Sequence, residues 1–429
     1  MKKGCLICFA AGAAVLVSGC ADDVDVRSGL QSMAVEFSPY IGRGAQTKSG
    51  GFDGDGSTYQ FGGVQMDDAE LKKTGFGVSA VYTGQTNWVD WNKYTSEWSP
   101  NFMFKQKVYF DGGAWKYEPV KYWPTMDGDK ISFFAYAPFA TESNTYGFAR
   151  SSIWTAAHYS LKFSIQPSDK ADGMVDFVAA AAMDRTYKTT ASDGTVSYGV
   201  PVEFKFEHAL TRLLFSAKTS KAVAPKTHVV ITGAALVKGN YYYAQGTYYF
   251  TTRTKADGGT SYWGPSKASG TDFIENDYDL SKIMAFPGTE KSVGGKTYSG
   301  GNALEIGAGA KPVFKTKPVS EPDKQCYLFL IPTSGTEAEP GIPENGAAVK
   351  FTYDIVTEDA SLDGGYSCTS AEKVVYLPKG IMQKGKAYNI TFVFNVDRIE
   401  VSADVEGWDD ASGTDIDVPF SPDDASAGA

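Results

Sequence analysis

Basic residues, histidines and helical repeats are all scarce in this chain of 429 residues. The 40 basic residues are outnumbered by 50 acidic ones, which gives a net charge of −10 at pH 7. A nucleic-acid partner needs a basic surplus to neutralise its phosphates, so this balance predicts no nucleic-acid partner. No segment places apolar residues at helical spacing over several turns, which excludes a coiled coil or a long-helix protein.

Catalytic and metal-binding motifs are missing as well. His158, His208 and His228 are the only histidines, and none has the spacing of a two-histidine metal site. There is no Gly-x-Ser-x-Gly elbow and no His-Glu-x-x-His motif. Gly294–Thr297 resembles the end of a phosphate loop, but a glutamate stands where the earlier glycine is required, so we predict a turn. His208 is expected to pack or hydrogen-bond at a strand end. We expect no enzymatic activity, no cofactor and no metal.

Aromatic residues and glycine, in contrast, are abundant: 26 Phe, 25 Tyr, 8 Trp and 46 Gly. A disordered chain would not carry so many aromatic side chains. Short runs with apolar and polar residues in alternation, separated by turn residues, predict β-sandwich or barrel domains. The predicted strands are 35–41, 102–110, 115–117, 131–136, 202–207, 229–231, 327–331, 349–355, 374–377, 388–396 and 399–405. Residues 174–183 could form a short helix or a strand.

The first twenty residues predict export. Two lysines precede an apolar run at 5–17, which has the length of a signal h-region and is too short to span a bilayer. Val-Ser-Gly-Cys at 17–20 resembles a bacterial lipobox, which implies cleavage between Gly19 and Cys20 and a lipid on Cys20. The alternative is an ordinary signal peptide with an incidental cysteine. The acidic cluster at 21–25 resembles the surface-export signal of Bacteroidales-type lipoproteins, so we expect a surface-exposed outer-membrane lipoprotein.

Two cysteines remain besides Cys20 once the signal is removed. Cys326 and Cys368 can pair in an oxidising compartment or stay as small buried residues. Their strand-like surroundings favour unpaired thiols.

Five segments occur together in a characteristic order: Asn101–Val108, Trp115–Pro124, Lys130–Pro138, Phe204–Leu213 and Ile399–Asp409. With the lipobox, they resemble the fimbrillin family, the fimbrium subunits and relatives of Bacteroidales. The resemblance implies an all-β fold with two tandem transthyretin-like β-sandwich domains, lipoprotein export and polymerisation by strand exchange. The expected divisions are a signal peptide at 1–19, a lipidated tether at 20–33, sandwich domains at 34–219 and 220–415, and a mobile acidic tail at 416–429.

In the family that the chain resembles, an arginine-specific protease removes the first strand and detaches the lipid anchor. Arg43 follows the predicted first strand between two glycines, which would make an accessible loop; the alternative is an ordinary surface arginine in a turn. A lost strand leaves an apolar groove and unpaired backbone groups, which a strand from a neighbouring subunit can fill. The candidate donor is the C-terminal pair, 388–405, and its alternative is a permanent edge hairpin.

Trp88, Trp91, Tyr94 and Trp98 form a dense aromatic cluster. Exposed rings would stack on sugars and give lectin-like adhesion, whereas buried rings would cap the sandwich end, which is the usual fate of large aromatic side chains. Three functions follow: a structural or adhesive fimbrial subunit, a fimbrial anchor or accessory subunit, and a non-polymerising glycan-binding lipoprotein. The expected partners are neighbouring subunits, the outer membrane through the lipid, and a host protein or glycan.

Overall fold

The computed structural model describes residues 33–41, 66–94, 101–139, 160–164, 176–221, 223–238, 241–250, 262–264, 274, 276–314, 327–332, 342, 345–395 and 397–407. This part of the chain is nearly all β, so the all-β prediction is confirmed. The strands of the first half are β1 (Phe37–Ile41), β2 (Phe76–Gly84), β3 (Met103–Asp111), β4 (Ala114–Lys116), β5 (Lys130–Ala137), β6 (Ser160–Ser164), β7 (Val178–Arg185), β8 (Lys188–Thr190), β9 (Val196–Tyr198) and β10 (Val202–His208). Two short helices accompany them, α1 (Asp68–Thr74) and α2 (Trp88–Tyr94).

The second half is also built mainly of strands. Its strands are β11 (Thr211–Thr219), β12 (Thr227–Leu236), β13 (Gln245–Tyr249), β14 (Tyr262–Gly264), β15 (Tyr278–Asp279), β16 (Lys291–Val293), β17 (Lys296–Tyr298), β18 (Leu304–Ile306), β19 (Lys311–Pro312), β20 (Leu328–Leu330), β21 (Ala348–Glu358), β22 (Tyr366–Tyr376), β23 (Lys386–Phe394) and β24 (Ile399–Gly407). A 3₁₀ helix spans Ser281–Ile283.

A seven-stranded sheet organises the first half, in the order β1-β10-β7-β5-β2-β3-β4. In β10, Val202, Phe204 and Phe206 are buried while Glu203 and Lys205 are exposed, because successive side chains of a strand point to opposite faces. The central strand β5 is buried on both faces from residue 131 to 137. One face of this sheet therefore contacts a core within the first half, and the other face contacts the second half.

The second half is built around two packed sheets, which form a β-sandwich. One has the order β19-β11-β23-β24, and the other has the order β15-β12-β21-β22. Phe351 on β21 lies with its ring centroid 4.7 Å from Phe392 and 5.4 Å from Phe394, both on β23. These contacts across the sandwich interior are typical of sheets packed face to face.

A three-stranded sheet joins the two halves, in the order β14-β13-β6. Here β6 comes from the first half, and β13 and β14 come from the second. Trp263 on β14 lies 6.1 Å from Phe163 and 6.0 Å from Phe177, and its Nε1 donates a hydrogen bond to the carbonyl of Ala209 (2.6 Å). The main hydrophobic core is consequently continuous across both halves.

The chain passes from the first sheet to the second at Ala209 and Leu210, which are fully buried between β10 and β11. β11 then pairs in parallel with β23 over eight positions, from Arg212↔Ala387 to Thr219↔Phe394. β11 thus belongs to the second sandwich, although it lies inside the range 34–219. The domain ranges themselves stay a prediction.

Several local expectations can be compared directly with the structure. Residues 178–185 form a strand, so the strand alternative for 174–183 is correct. Gly294 and Gly295 make the two-residue turn between β16 and β17, as predicted, with φ of +54° and +89° that suit glycine. Cys368 is an exposed free thiol on β22, and Cys326 lies outside the described residues. Among the described helices, none is long and apolar enough for a membrane span.

Candidate functional site

The N-terminal segment, residues 33–41, lies between β10 and the stretch 117–123 that follows β4. β1 pairs in parallel with β10 over five positions, and the Val202 amide donates to the carbonyl of Glu36 (2.7 Å). On the opposite side, the Val35 amide donates to the carbonyl of Lys121 and the Trp123 amide to that of Met33, both at 2.9 Å. Alternate residues of the segment thus form backbone hydrogen bonds to β10 and to the stretch 117–123. The segment fills the space between these two parts of the chain.

Three side chains of the segment point into the core. Val35, Phe37 and Ile41 are buried, whereas Tyr40 on the opposite face is 41% exposed. Complete burial of such an apolar side chain contributes about 1.5–3 kcal/mol. These side chains therefore hold the segment, together with its pairing to β10 and its two backbone hydrogen bonds to 121–123.

Phe37 is the centre of this contact. Its ring centroid lies 5.3 Å from that of Tyr117, 5.5 Å from Phe204, 5.9 Å from Phe133 and 6.2 Å from Phe76. Each aromatic pair adds about 0.5–1.5 kcal/mol beyond the buried area. A pocket of four aromatic rings is consequently shaped around one side chain of the segment.

Two polar contacts fix the segment near its ends. The Tyr117 hydroxyl donates to the carbonyl of Val35 (2.7 Å), and the Ile41 amide donates to Oδ1 of Asp68 at the start of α1 (2.9 Å). Burial raises the pKa of Tyr117 to about 12, so its hydroxyl keeps its proton at neutral pH. Sequence reasoning did not single out Tyr117 or Asp68, because their partners are backbone groups 82 and 27 residues away.

Removal of the segment would leave an apolar groove and an unpaired edge on β10. An extended peptide that presents apolar side chains at alternate positions would satisfy both. The predicted protease site, Arg43, comes two residues after the end of β1 and lies outside the described residues, as do Gly19 and Cys20.

The proposed donor pair, 388–405, is integrated into the second sandwich. β23 lies between β11 and β24, and Tyr388, Ile390, Phe392 and Phe394 are buried. Withdrawing β23 would expose these side chains, and the donor role of the pair stays a prediction. β24 is an edge strand in the described structure and pairs with β23 at nine positions.

The aromatic cluster does not form one exposed surface. Trp88 is 1% exposed, with its ring 5.6 Å from that of Trp91 and 4.9 Å from that of Phe134. Trp88 is thus a core residue with no ring face for a sugar, and Trp91 is partly buried at the edge of the same core. Tyr94 ends α2, and Trp98 lies outside the described residues. A glycan contact by this cluster stays a prediction.

The histidines of β10 and β12 have carboxylate partners. At the end of β10, buried His208 has its Nδ1 2.7 Å from Oδ2 of buried Asp176, so its predicted packing role is confirmed. On β12, His228 lies between Glu305 and Glu358, each 3.0 Å from a ring nitrogen. Burial opposes the charge on His228, but hydrogen bonds with Glu358 and Glu305 outweigh it and raise the pKa of the imidazole.

Asp354 is the centre of a second polar cluster. Its carboxylate accepts hydrogen bonds from Lys296 Nζ (2.7 Å), the Tyr298 hydroxyl (2.9 Å) and the Ser370 hydroxyl (2.6 Å). Burial works against the charged form, but these three donors outweigh it and lower the pKa of Asp354. In the described ranges, no three His, Cys, Asp or Glu residues are grouped to hold a metal ion.

Comparison with known proteins identifies relatives of this chain and the family to which it belongs. The chain is 28% identical to the fimbrium subunit Fim1C of Phocaeicola vulgatus over 375 residues, which cover 83% of this chain and 88% of the relative. The fold is similar to the crystal structure of a fimbrial protein from Bacteroides vulgatus (TM-score 0.64, 22% identity, 88% of this chain and 99% of that one). A putative cell adhesion protein from Bacteroides uniformis aligns at a TM-score of 0.38 with 13% identity, over 88% of this chain and 98% of that one. Residues 66–408 match the sequence model of the fimbrillin-like family, and the chain therefore belongs to that family.

Proposed function

We propose that the chain is a structural or adhesive subunit of a fimbrium. It would be exported as a lipoprotein with lipid on Cys20, displayed at the outer membrane, and joined to neighbouring subunits by donor-strand exchange. The observation that supports this proposal is the N-terminal segment, because it fills an aromatic pocket and its strand β1 pairs with the edge of the sheet at β10. The two halves of the chain would correspond to two transthyretin-like sandwiches, predicted at 34–219 and 220–415, with β11 belonging to the second because it pairs with β23.

Cleavage after Arg43 would break the chain between the N-terminal segment and the rest of the protein, but the segment would still fill its aromatic pocket. Burial of Val35, Phe37 and Ile41 is worth about 5–9 kcal/mol in sum, comparable with the stability of a whole domain. The cut segment would stay bound until an incoming strand recovers the same burial and the same pairing with β10. Exchange with a neighbour's strand is therefore favoured over loss of the segment to water.

The proposal is tested on lipid-free mature protein, digested briefly with an arginine-specific protease. The new N-terminus is sequenced, and detergent-stable ladders are sought on gels without boiling. We expect a new N-terminus at Gly44 followed by a ladder, and neither product in Arg43→Ala. Arg27→Ala is the matched control, because Arg27 precedes the segment, and it should leave the ladder unchanged.

Three results would each contradict a part of the proposal. A ladder that persists in Arg43→Ala would exclude the assigned cleavage site. Clean cleavage after Arg43 that yields only monomer would exclude strand exchange, and complete resistance to the protease would favour an anchor or accessory subunit that keeps its lipid.

A further inference from the structure

Exposed apolar side chains are concentrated at one end of the first sheet, the end where β1 and β10 begin and β7 stops. Eleven large hydrophobic side chains are exposed in the described part of the chain. Six of them lie at this end and are called the end patch: Val120, Tyr122, Met126, Val196, Tyr198 and Val200. Single exposed apolar side chains are ordinary, whereas a group of them marks a contact surface.

Two sides of the end patch meet at the N-terminal segment. Ala34 forms a β-bridge with Tyr122. The carbonyl of Glu36 accepts the amide of Val202 (2.7 Å), two residues after Val200. Tyr122 and Val200 thus flank the start of the segment on opposite sides.

The hairpin of β8 and β9 completes the end patch. Both strands are exposed at every position, so the hairpin projects from the end of the sheet. Tyr198 is the direct partner of Lys188, whose Nζ lies 3.9 Å from Oδ2 of Asp127, next to Met126. Contacts therefore run from Met126 through the hairpin and the N-terminal segment back to the stretch 117–123, and the end patch is one surface.

The chain enters the described fold at this surface. The carbonyl of Met33 accepts the amide of Trp123 (2.9 Å), and Met33 follows Cys20 by thirteen residues. A fully extended stretch of that length spans at most about 43–47 Å. A lipid on Cys20 would therefore tether the molecule by the end that carries the end patch.

The chemistry of the end patch suits the interfacial region of a bilayer. Tyrosine is favoured at the level of the headgroups because its ring is apolar and its hydroxyl is polar. Met126 is the most exposed of the six, at 66%, and would reach the boundary of the acyl chains. The charges nearby give no cationic surplus, since Lys188 is paired with Asp127 and Glu36 is exposed. Apolar contact would thus hold the surface, and tethering lets a weak contact suffice.

We propose that the end patch of the lipidated chain lies in the headgroup region of the membrane that carries the lipid of Cys20. This inference rests on the proposed lipid anchor and adds which surface of the protein meets the bilayer. A second copy of the chain is the alternative occupant, and the entry of the tether at this end favours the bilayer. Exchange of the N-terminal segment would remove the tether, and the end patch alone would not retain the molecule at the membrane.

The test compares tethered with free protein. Lipid-free mature chain carrying Cys326→Ser and Cys368→Ser is coupled through the Cys20 thiol to a maleimide phospholipid in phosphatidylcholine vesicles. A neutral lipid is used because the end patch has no cationic surplus. Hydroxyl radicals then label exposed side chains, and mass spectrometry gives the rate of oxidation at each residue.

Oxidation of Tyr122, Met126 and Tyr198 should be about tenfold slower in the tethered chain, since burial of one such side chain shifts an equilibrium by about that factor. Tyr40 and Tyr376 are the internal controls and should keep their rates, because both are exposed outside the end patch. Tyr40 lies about 20 Å from the start of the segment along the strand, beyond the roughly 5–10 Å depth of an interfacial contact.

A charge in the end patch should release it from the bilayer. In Met126→Glu, oxidation of Tyr122 and Tyr198 should return to the rate of the free protein, because the carboxylate opposes transfer out of water. Leu362→Glu is the matched control, since Leu362 is also exposed, in the turn between β21 and β22, and it should leave the protection unchanged.

Each remaining outcome has a distinct meaning. Equal oxidation in the tethered and free chains, or protection that Met126→Glu leaves intact, would overturn the inference. Protection in the free chain that increases with protein concentration would assign the end patch to an interface between copies and overturn the bilayer contact. The anchor itself is tested by the mass of the N-terminal peptide from cell membranes. Cys20 without lipid would overturn the proposed anchoring, whereas lipidated Cys20 with an unprotected end patch would overturn only this inference.

Discussion

Replacement of Phe37 by alanine tests whether the aromatic pocket holds the N-terminal segment. Phe37 is 93% buried and its ring has four aromatic neighbours within 6.2 Å, so truncation removes a full side chain and leaves a cavity. Phenylalanine-to-alanine changes in cores cost about 3–5 kcal/mol. We expect the free energy that holds the N-terminal segment in its pocket to fall by that amount. The stability of the second sandwich should not change comparably. Tyr40→Ala is the matched control on the same strand, since Tyr40 is 41% exposed and should cost about 0.5 kcal/mol or less.

The assay is residue-resolved amide hydrogen exchange of the intact, uncleaved chain. The Val202 amide donates to the segment itself and therefore reports its release directly. In Phe37→Ala, exchange of Val202 should accelerate by about a hundredfold or more, whereas amides between β11 and β23 should keep their rates. Unchanged exchange at Val202, or equal acceleration in Phe37→Ala and Tyr40→Ala, would refute the argument that this pocket holds the segment.

Three further predictions concern other sites. Trp88→Ala should lower the free energy of unfolding by about 3–5 kcal/mol and Trp91→Ala by clearly less, measured by denaturant titration; equal losses would contradict the assigned burial. His228→Asn should cost roughly 0.5–1 kcal/mol at pH 5.5 and less at pH 9. The raised imidazole pKa stabilises the fold below the unfolded value near 6.5, and this contribution is lost as pH rises through the folded pKa; a difference that grows with pH would be inconsistent. Asp354→Asn should cost about 2–4 kcal/mol at pH 7. Its lowered pKa stabilises the fold above about pH 4 and loses effect as pH falls through the folded pKa, so a pH-independent cost would count against the cluster.

Local patterns in the sequence predicted much of the fold. The alternation in 202–207 predicted the strand β10 with its buried phenylalanines, and the predicted strands 102–110 and 115–117, separated by turn residues, correspond to the hairpin of β3 and β4. These features depend on side-chain period and turn chemistry, which neighbouring residues determine. The first strand, 35–41, was predicted for the same reason, and the structure begins β1 at Phe37.

Long-range pairing could not be predicted in the same way. The parallel partners β1 and β10 are separated by about 165 residues, and no local pattern specifies that they meet. The role of Tyr117 in holding the carbonyl of Val35 depends on this arrangement. The alternation in 388–396 also does not reveal that β23 is an interior strand, because period two is common to interior and edge strands.

The sheet that joins β6 to β13 and β14 has a mechanical consequence. A hinge between domains requires a connection with few contacts, but here backbone pairing and the aromatic contacts of Trp263 cross from one half to the other. Under tension, each molecule would carry load as a single stiff element. A fibre assembled from such elements would therefore bend and break where one molecule meets the next.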